Sequence, residues 1–390
     1  MRAPTPGLMR VGFFTEVYHP VVNGVVASVD ALAAGLRALG HDVYCFAPSM
    51  PGYDEGEAEV YRMPSLPLPM GAPYRLTVPM IGRRRRHAIV NRLDVLHAHS
   101  PFVTGWMSVR FARRLRIPLI YTYHTRLEEY AHYVPFDETA TRRAATTLTR
   151  NFANLADAVV VPTPAMRDRL FELGVTARVE VIPSGIDLSL FGSAQRSDAV
   201  RASYGIGKDD VLLLSVSRLA REKNVEVLID ALERCGDRTK LVIAGDGPER
   251  AALQERAKAA GLNGRVVFAG QVHREALPDL YAACDAFLFA SFTETQGLVV
   301  AEALAAGAPV IAADSAQMRE VVGRCGRLVR GDAASFAAEI GALPPVPDAA
   351  GAAQAREWAA RFSIERQARD VAALYGDLLT RTYVRPMMET

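Results

Sequence analysis

Two carboxylates eight residues apart, Glu294 and Glu302, bracket Gly297 in the run Ser291-Phe292-Thr293-Glu294-Thr295-Gln296-Gly297-Leu298-Val299-Val300-Ala301-Glu302. The apolar residues Ala286–Ala290 ahead of them read as a buried strand. Leu298–Ala306 behind them reads as a helix stopped at Gly307-Ala308-Pro309. At such a helix start the backbone N–H groups of Gln296, Gly297 and Leu298 lack intrahelical acceptors and favour an anion. Glu294 would lie in the turn and Glu302 about one turn inside the helix, so both can face one ligand. A carboxylate beside a phosphate site is useful when it accepts hydrogen bonds, and sugar hydroxyls supply them. The same residues also fit an ordinary surface, with Glu294 as a helix-start charge and Glu302 on a solvated face.

A second unit of the same kind comes earlier. Val211–Val216 reads as a strand, Ser217-Arg218-Leu219-Ala220-Arg221-Glu222-Lys223-Asn224 as a loop, and Val225–Leu232 as a helix. Arg218 and Lys223 would flank a loop at the carboxyl end of a strand, where α/β sheets bind their ligands. A guanidinium fork and a mobile ammonium suit a diphosphate leaving group, although a solvated basic loop has the same composition.

With both stretches in view, the chain resembles the retaining glycosyltransferase family 4, which has the GT-B fold, from about Val11 to about Leu379. Ser217–Asn224 and Glu294–Glu302 resemble its two signature motifs, and their occurrence together and in order is more specific than either alone. The resemblance implies transfer of a sugar from a nucleoside diphosphate donor with retention at the anomeric carbon. It assigns Arg218 and Lys223 to the diphosphate, Glu302 to the ribose hydroxyls, Glu294 to the donor sugar, and the amides of Gln296, Gly297 and Leu298 to the ligand. It also lays the loop Gly270-Gln271-Val272-His273-Arg274, through Val272, over the base. His124, ending the strand-like Tyr121-Thr122-Tyr123, would stand against the donor sugar, orient hydroxyls and help stabilise charge. Arg126-Leu127-Glu128-Glu129-Tyr130-Ala131-His132-Tyr133 and Glu294-Thr295-Gln296-Gly297-Leu298 resemble the branch that glycosylates diacylglycerol and related lipids. From that branch come the expected UDP-glucose or UDP-galactose donor and the lipid acceptor.

The elements that must position these groups alternate strand and helix, the pattern of βαβ units and parallel sheets. At 390 residues, half of them hydrophobic, the chain has room for two such α/β domains. Expected strands in the first half are Arg10–Thr15, Val43–Ala47, Val95–Ala98, Leu119–Tyr123 and Ala158–Val161. Those of the second half are 211–216, 240–244, 265–268, 286–290, 309–312 and near 327–329. Glu180–Asp187, broken by Pro183 and Gly185, reads as the boundary. The organisation expected is an acceptor-binding domain at 1–185, a nucleotide-sugar domain at 186–365, and a terminal helix at 366–390 returning to the first domain. Helical signals run from Gln354 to Thr380.

Asn23-Gly24 lies between the first strand and the helix Val25–Leu39, and glycine there permits close approach of a phosphate. It equally fits an ordinary turn, and with no Gly-x-Gly-x-x-Gly a nicotinamide dinucleotide is disfavoured. Gly245-Asp246-Gly247-Pro248 reads either as a tight turn or as a ligand contact. His97-Ala98-His99 puts two imidazoles on one strand face. With no third ligand near and no Asp-x-Asp, they read as strand-end polar residues. No metal or other cofactor is expected, since Arg218, Lys223 and helix dipoles can neutralise a departing diphosphate. Cys45, Cys235, Cys284 and Cys325 lack Cys-x-x-Cys spacing and read as reduced.

Net charge is +2 but uneven. Residues 1–185 carry 21 Arg, no Lys and 16 acids, a surplus of +5, against 24 basic and 27 acidic residues, or −3, in the remainder. The near-neutral total argues against nucleic acid as a partner. Arg83-Arg84-Arg85-Arg86-His87, set in Pro79–Leu93 after the apolar loop Leu66-Pro67-Leu68-Pro69-Met70, suits an anionic membrane surface. A solvated charged face is the alternative. No apolar run approaches the roughly 18 residues of a membrane span. The expectation is a cytoplasmic protein, peripheral on the inner face of the membrane. A soluble acceptor, an epimerising GT-B protein and a non-catalytic sugar binder are the other readings.

Overall fold

The computed structural model describes residues 7–53, 59–67, 74–79, 89–133, 135–344 and 348–384. The chain divides into two compact units, one of Met1–Gly185 with Ile364–Thr390, the other of Ile186–Ser363. The crossing at Ser363–Ile364 falls two residues before the boundary drawn from sequence.

Strands of the first unit are β1 (Arg10–Phe14), β2 (Asp42–Pro48), β3 (Val60–Met63), β4 (Ser65–Pro67), β5 (Arg75–Thr77), β6 (Val95–Ala98), β7 (Leu119–Thr122), β8 (Ala158–Val161) and β9 (Val179–Val181). Seven form a parallel sheet in the order β3-β2-β1-β6-β7-β8-β9, and β4 and β5 make an antiparallel pair. Every residue of β6, β7 and β8 is buried, as expected of strands covered by helices on both faces. Strand order reverses between β1 and β6, which makes the carboxyl ends of those strands the natural ligand position.

The second unit holds β10 (Val211–Val216), β11 (Thr239–Ala244), β12 (Val266–Gly270), β13 (Ala286–Phe289), β14 (Val310–Ala313) and β15 (Gly326–Val329). They form one parallel sheet ordered β12-β11-β10-β13-β14-β15, with Leu213 opposite Ala286 and Leu214 opposite Phe287. Its reversal falls between β10 and β13. The two loops singled out from sequence follow those two strands.

Three features depart from the sequence reading. β9 takes in Glu180 and Val181, the first two residues of the expected boundary stretch, within which the units divide after Gly185. β3 and the β4–β5 pair were not anticipated, being short and only partly buried. The helical run 354–380 is two helices, Ala349–Ala359 and Ile364–Val384, parted by a 3-10 turn at Ala360–Phe362. The break has a cause outside the run: Ile186 donates its N–H to the Phe362 carbonyl at 2.7 Å and bridges Ser363.

Beyond the break, Ala368, Val371, Ala372, Tyr375 and Leu378 recur at helical spacing and bury against Val26, Val29, Leu32 and Leu36 of the helix Gly24–Ala38. Gly35 lets the two helices touch, since a Cβ there would stand 2.7 Å from that of Ala368. The C-terminal helix thus returns to the first unit. No helix of the described residues is long and apolar enough to cross a membrane.

Candidate functional site

In the second unit the two signature loops meet. Ser291 donates its hydroxyl to the Glu222 carbonyl at 3.1 Å, and Lys223 Nζ lies 2.5 Å from Glu294 Oε1. Both side chains of this pair are largely buried, 15% and 20% exposed, so solvent screens them weakly. Arg218 is exposed at the rim of the same loop. Gly297 caps the helix Leu298–Ala306 with φ +84°, a left-handed conformation that glycine adopts without strain. Gln296 is buried beside it. A cation, a carboxylate and a helix start therefore occupy the loops at the sheet's reversal point, a combination that can take a phosphate and a hydroxyl-bearing group together.

Glu302 projects from the first turns of that helix and is buried. Tyr281 donates its hydroxyl to Oε2 at 3.2 Å, and Arg274 donates to Oε1 at 3.4 Å while its guanidinium lies over the Phe191 ring. Burial lifts the Glu302 carboxyl above the ordinary carboxylate range, opposed by the Arg274 charge and the Tyr281 hydrogen bond. Val272, from the same loop as Arg274, packs half-buried against this core. Ser217 and Thr293 carry buried hydroxyls with no hydrogen-bond partner among the described residues.

The first unit gathers its polar groups at the carboxyl ends of β1, β6 and β7. Asn23 caps the helix Gly24–Ala38 by accepting from Val26 N at 2.9 Å. A Cβ on Gly24 would meet no protein atom within 4 Å, so the protein's own packing does not require glycine there. His97, His99 and His124 form a ladder, with ring centroids 4.4 Å apart for the first pair and 5.3 Å for the second. His97 pairs with the Tyr375 hydroxyl and the Thr122 hydroxyl, both at 2.6 Å, and His99 Nδ1 with His124 Nε2 at 3.0 Å. Burial pushes His97 down to about 3, His124 to about 4 and His99 well below the usual imidazole range. All three rings are neutral near pH 7. The help in stabilising charge that the resemblance expects of His124 would then come from a neutral ring, through hydrogen bonds and not as a cation. The charged groups of Arg126–Tyr133 are internal. Buried Glu128 is held by Arg169 at 3.3 Å and by the Tyr123 hydroxyl at 3.5 Å, and Arg126 pairs with Glu129 at 2.5 Å. These contacts fix the 3-10 turn Leu127–Tyr133, on which the Tyr130 and Tyr133 rings lie 6.1 Å apart. Arg83, Arg84, Arg85 and Arg86 lie outside the described residues.

Residues 22–190 match the family Glycosyltransferase Family 4, and residues 196–341 match Glycosyl transferases group 1. An alpha-monoglucosyldiacylglycerol synthase of Streptococcus pneumoniae is 33% identical over 351 residues, covering 87% of this chain and 79% of that protein. The chain belongs to glycosyltransferase family 4. Another relative, a GDP-mannose-dependent alpha-mannosyltransferase of Mycobacterium tuberculosis, is 34% identical over 320 residues, 80% of this chain and 81% of that one. Among solved structures, an Anabaena protein, Alr3699/HepE, in complex with UDP superposes with a TM-score of 0.77 at 22% identity, covering 95% of this chain and all of that one. Sucrose-phosphate synthase of Thermosynechococcus elongatus gives 0.78 at 22%, covering 96% and 100%. These likenesses show the GT-B fold.

For this family 4 glycosyltransferase, sequence reasoning missed Tyr281 and the grip of Arg274 on Glu302. It also left Gly245–Gly247 undecided. A Cβ on Gly247 would stand 2.2 Å from the Leu219 carbonyl oxygen, and one on Gly245 1.8 Å from that of Ser217. Leu219 donates its N–H to the Asp246 carbonyl at 3.0 Å. The two glycines thus let this turn lie against the loop that carries Arg218. Gly247→Ala is expected to displace that loop and lower kcat/KM about 100-fold, as misplacement by about an ångström does. Steady-state kinetics beside a thermal melt within a few degrees of wild type would check it.

Proposed function

We propose that the protein is a retaining hexosyltransferase moving glucose or galactose from a UDP-sugar to a diacylglycerol-type lipid at the inner face of the membrane. The observation that carries the transferase reading is the Lys223–Glu294 contact, which joins the two signature loops at the reversal point of one sheet. In the reaction the acceptor oxygen bonds to the anomeric carbon, and the bond from that carbon to the diphosphate oxygen breaks. The hydroxyl proton passes to the departing diphosphate. Arg218, Lys223 and the amides at the helix start would offset the charge developing there without a metal ion. Glu294 would accept from sugar hydroxyls and Glu302 from the ribose. The relatives' names support retention: both describe alpha products, and the common nucleoside diphosphate glucose and mannose donors are alpha-linked.

For the lipid acceptor the support is the monoglucosyldiacylglycerol synthases, 33% identical in two organisms. A surface feature agrees. Leu66 and Leu76 face one another across the β4–β5 pair and are 60% and 41% exposed. The four arginines at 83–86 would add about 1 kcal/mol each near an anionic leaflet, roughly 4 kcal/mol or a thousandfold in partition. The mannosyltransferase relatives favour a second donor, GDP-mannose. The test is a screen of UDP-glucose, UDP-galactose and GDP-mannose against diacylglycerol vesicles and soluble sugars, with mass and anomeric analysis of the product. An alpha-hexosyl diacylglycerol is the expected result. Transfer to soluble sugars alone, or vesicle binding unchanged by charge reversal at Arg83–Arg86, would end the lipid reading.

A further inference from the structure

The helix Val103–Leu115 shows solvent a face of unusual composition. From its N-cap to its last turn the exposed residues are Phe102, Trp106, Arg110, Arg113 and Arg114, the others being buried or half-buried. Steps of four, four and three residues set them in one stripe along the helix. The stripe has two aromatics, three cations and no acid. By contrast, the helix Arg250–Ala259 exposes both signs in Glu255, Arg256 and Lys258, as a face built for water does. No acid pairs with Arg110 or Arg113 among the described residues. Arg114 meets neutral groups, Asn91 Oδ1 at 2.7 Å and the Phe111 ring at 5.1 Å. Arginines in a last turn complement the helix dipole. That leaves Phe102 and Trp106, 41% and 46% exposed, without a reason to face water. Further apolar surface lies beside the aromatic end. The buried carboxylate of Glu16 accepts from Thr104 N at 2.8 Å and from Thr77 N at 2.7 Å. It thereby ties the start of this helix to β5, the strand that carries exposed Leu76 opposite Leu66.

Cations without counter-ions beside exposed aromatics fit a bilayer with anionic headgroups, where indole rings settle at headgroup level and guanidinium groups bind phosphates. A single-stranded nucleic acid would use the same rings and charges but has no use for Leu66 and Leu76. We propose that the stripe Phe102, Trp106, Arg110, Arg113 and Arg114 is a docking face for an anionic phospholipid surface, which Trp106 enters to headgroup depth while the arginines pair with lipid phosphates. This deepens the membrane reading above and rests on it, but it sets the contact on a folded helix and not on Arg83–Arg86 alone. The apolar side of the helix, Met107, Val109, Phe111 and Ala112, stays packed in the core of its own unit. The helix therefore lies along the bilayer without sinking into it, and the contact is shallow and reversible.

The test is tryptophan emission of the full-length protein on vesicles of phosphatidylglycerol and brominated phosphatidylcholine. The chain has two tryptophans, so Trp106→Phe leaves Trp358 alone to emit and serves as the reference. Bromine on the lipid quenches an indole that enters the bilayer. The expected result is quenching with a blue shift in the wild type, absent from Trp106→Phe and absent on vesicles of brominated phosphatidylcholine alone. Arg110→Gln combined with Arg113→Gln should weaken partition onto the anionic vesicles about thirtyfold, at about fivefold for each arginine, and keep turnover on a water-soluble short-chain diacylglycerol within about twofold. Wild-type protein that stays off the anionic vesicles overturns the proposal, as does binding indifferent to the loss of both arginines. Binding with Trp106 unquenched overturns it too and leaves contact through Arg83–Arg86 standing. Quenching of Trp106 without sugar transfer to any diacylglycerol upholds the docking face and ends the lipid-acceptor reading, so the two ideas fail separately.

Discussion

Lys223→Ala is expected to lower kcat by about 100- to 1,000-fold, the range found when one fixed electrostatic group is taken from a site where charge develops. Two effects add. The first is loss of an ammonium meant to meet a departing diphosphate. The second comes from its partner: Glu294, held at 2.5 Å and only 20% exposed, would be left as an unpaired carboxylate where a polyanion must bind. Because the second penalty disappears when the carboxylate is neutralised, Lys223→Ala combined with Glu294→Gln should cost less than the sum of the single changes. Arg218→Ala, which leaves the Lys223–Glu294 contact intact, should lower kcat by a comparable factor with no such coupling to Glu294. Single-turnover kinetics on the four variants, with melting temperatures to confirm folding, separate these terms. Turnover near that of the wild type in both Lys223→Ala and Arg218→Ala would remove their leaving-group role.

Local periodicity made most of this fold legible. Strands such as Val211–Val216 and Ala286–Phe289, buried on both faces, have nothing but apolar residues or Ser to show, and the helices that follow them begin at Asn224 and Gly297. What sequence left unread depended on distant partners. Val179–Val181 is half-buried and becomes a strand through pairing with Val159–Val161. The helix break at Ala360–Phe362 contains no Pro or Gly, and the contact with Ile186 makes it. The site divides in the same way. Lys223 and Glu294 were both legible as chemistry, one in each loop, but their contact over 71 positions follows only from β10 and β13 being neighbours. The hold of Tyr281 and Arg274 on Glu302 had no local signature either. A tyrosine in a helix and an arginine in a loop look like core and surface until the sheet brings them to one carboxylate.

Glu302 yields the other large effect, and its pH dependence has a definite sign. To receive two ribose hydroxyls the carboxyl must be ionised, as an acceptor at both oxygens. Burial raises its pKa, so the ionised form is lost at a higher pH than for an exposed glutamate. Donor affinity should therefore decline as pH falls through this raised value, in a range where exposed carboxylates are still charged. Tyr281→Phe removes a hydrogen bond that favours ionisation and should move that decline to still higher pH. Glu302→Gln should abolish the decline and raise KM for the donor about 10- to 100-fold, the loss of charge-assisted hydrogen bonds. Stability runs the opposite way. The native state keeps this proton at pH values where the unfolded chain has released it, so the group's contribution to stability falls as pH rises from the ordinary carboxylate value through the raised one. Glu302→Gln, similar in shape and without the charge to bury, should melt no lower than the wild type at pH 7 while binding donor poorly. Donor titrations from pH 5 to 8 and thermal melts over the same range measure both halves. A donor KM unmoved by Glu302→Gln would show that this buried carboxylate serves the fold and not the ligand.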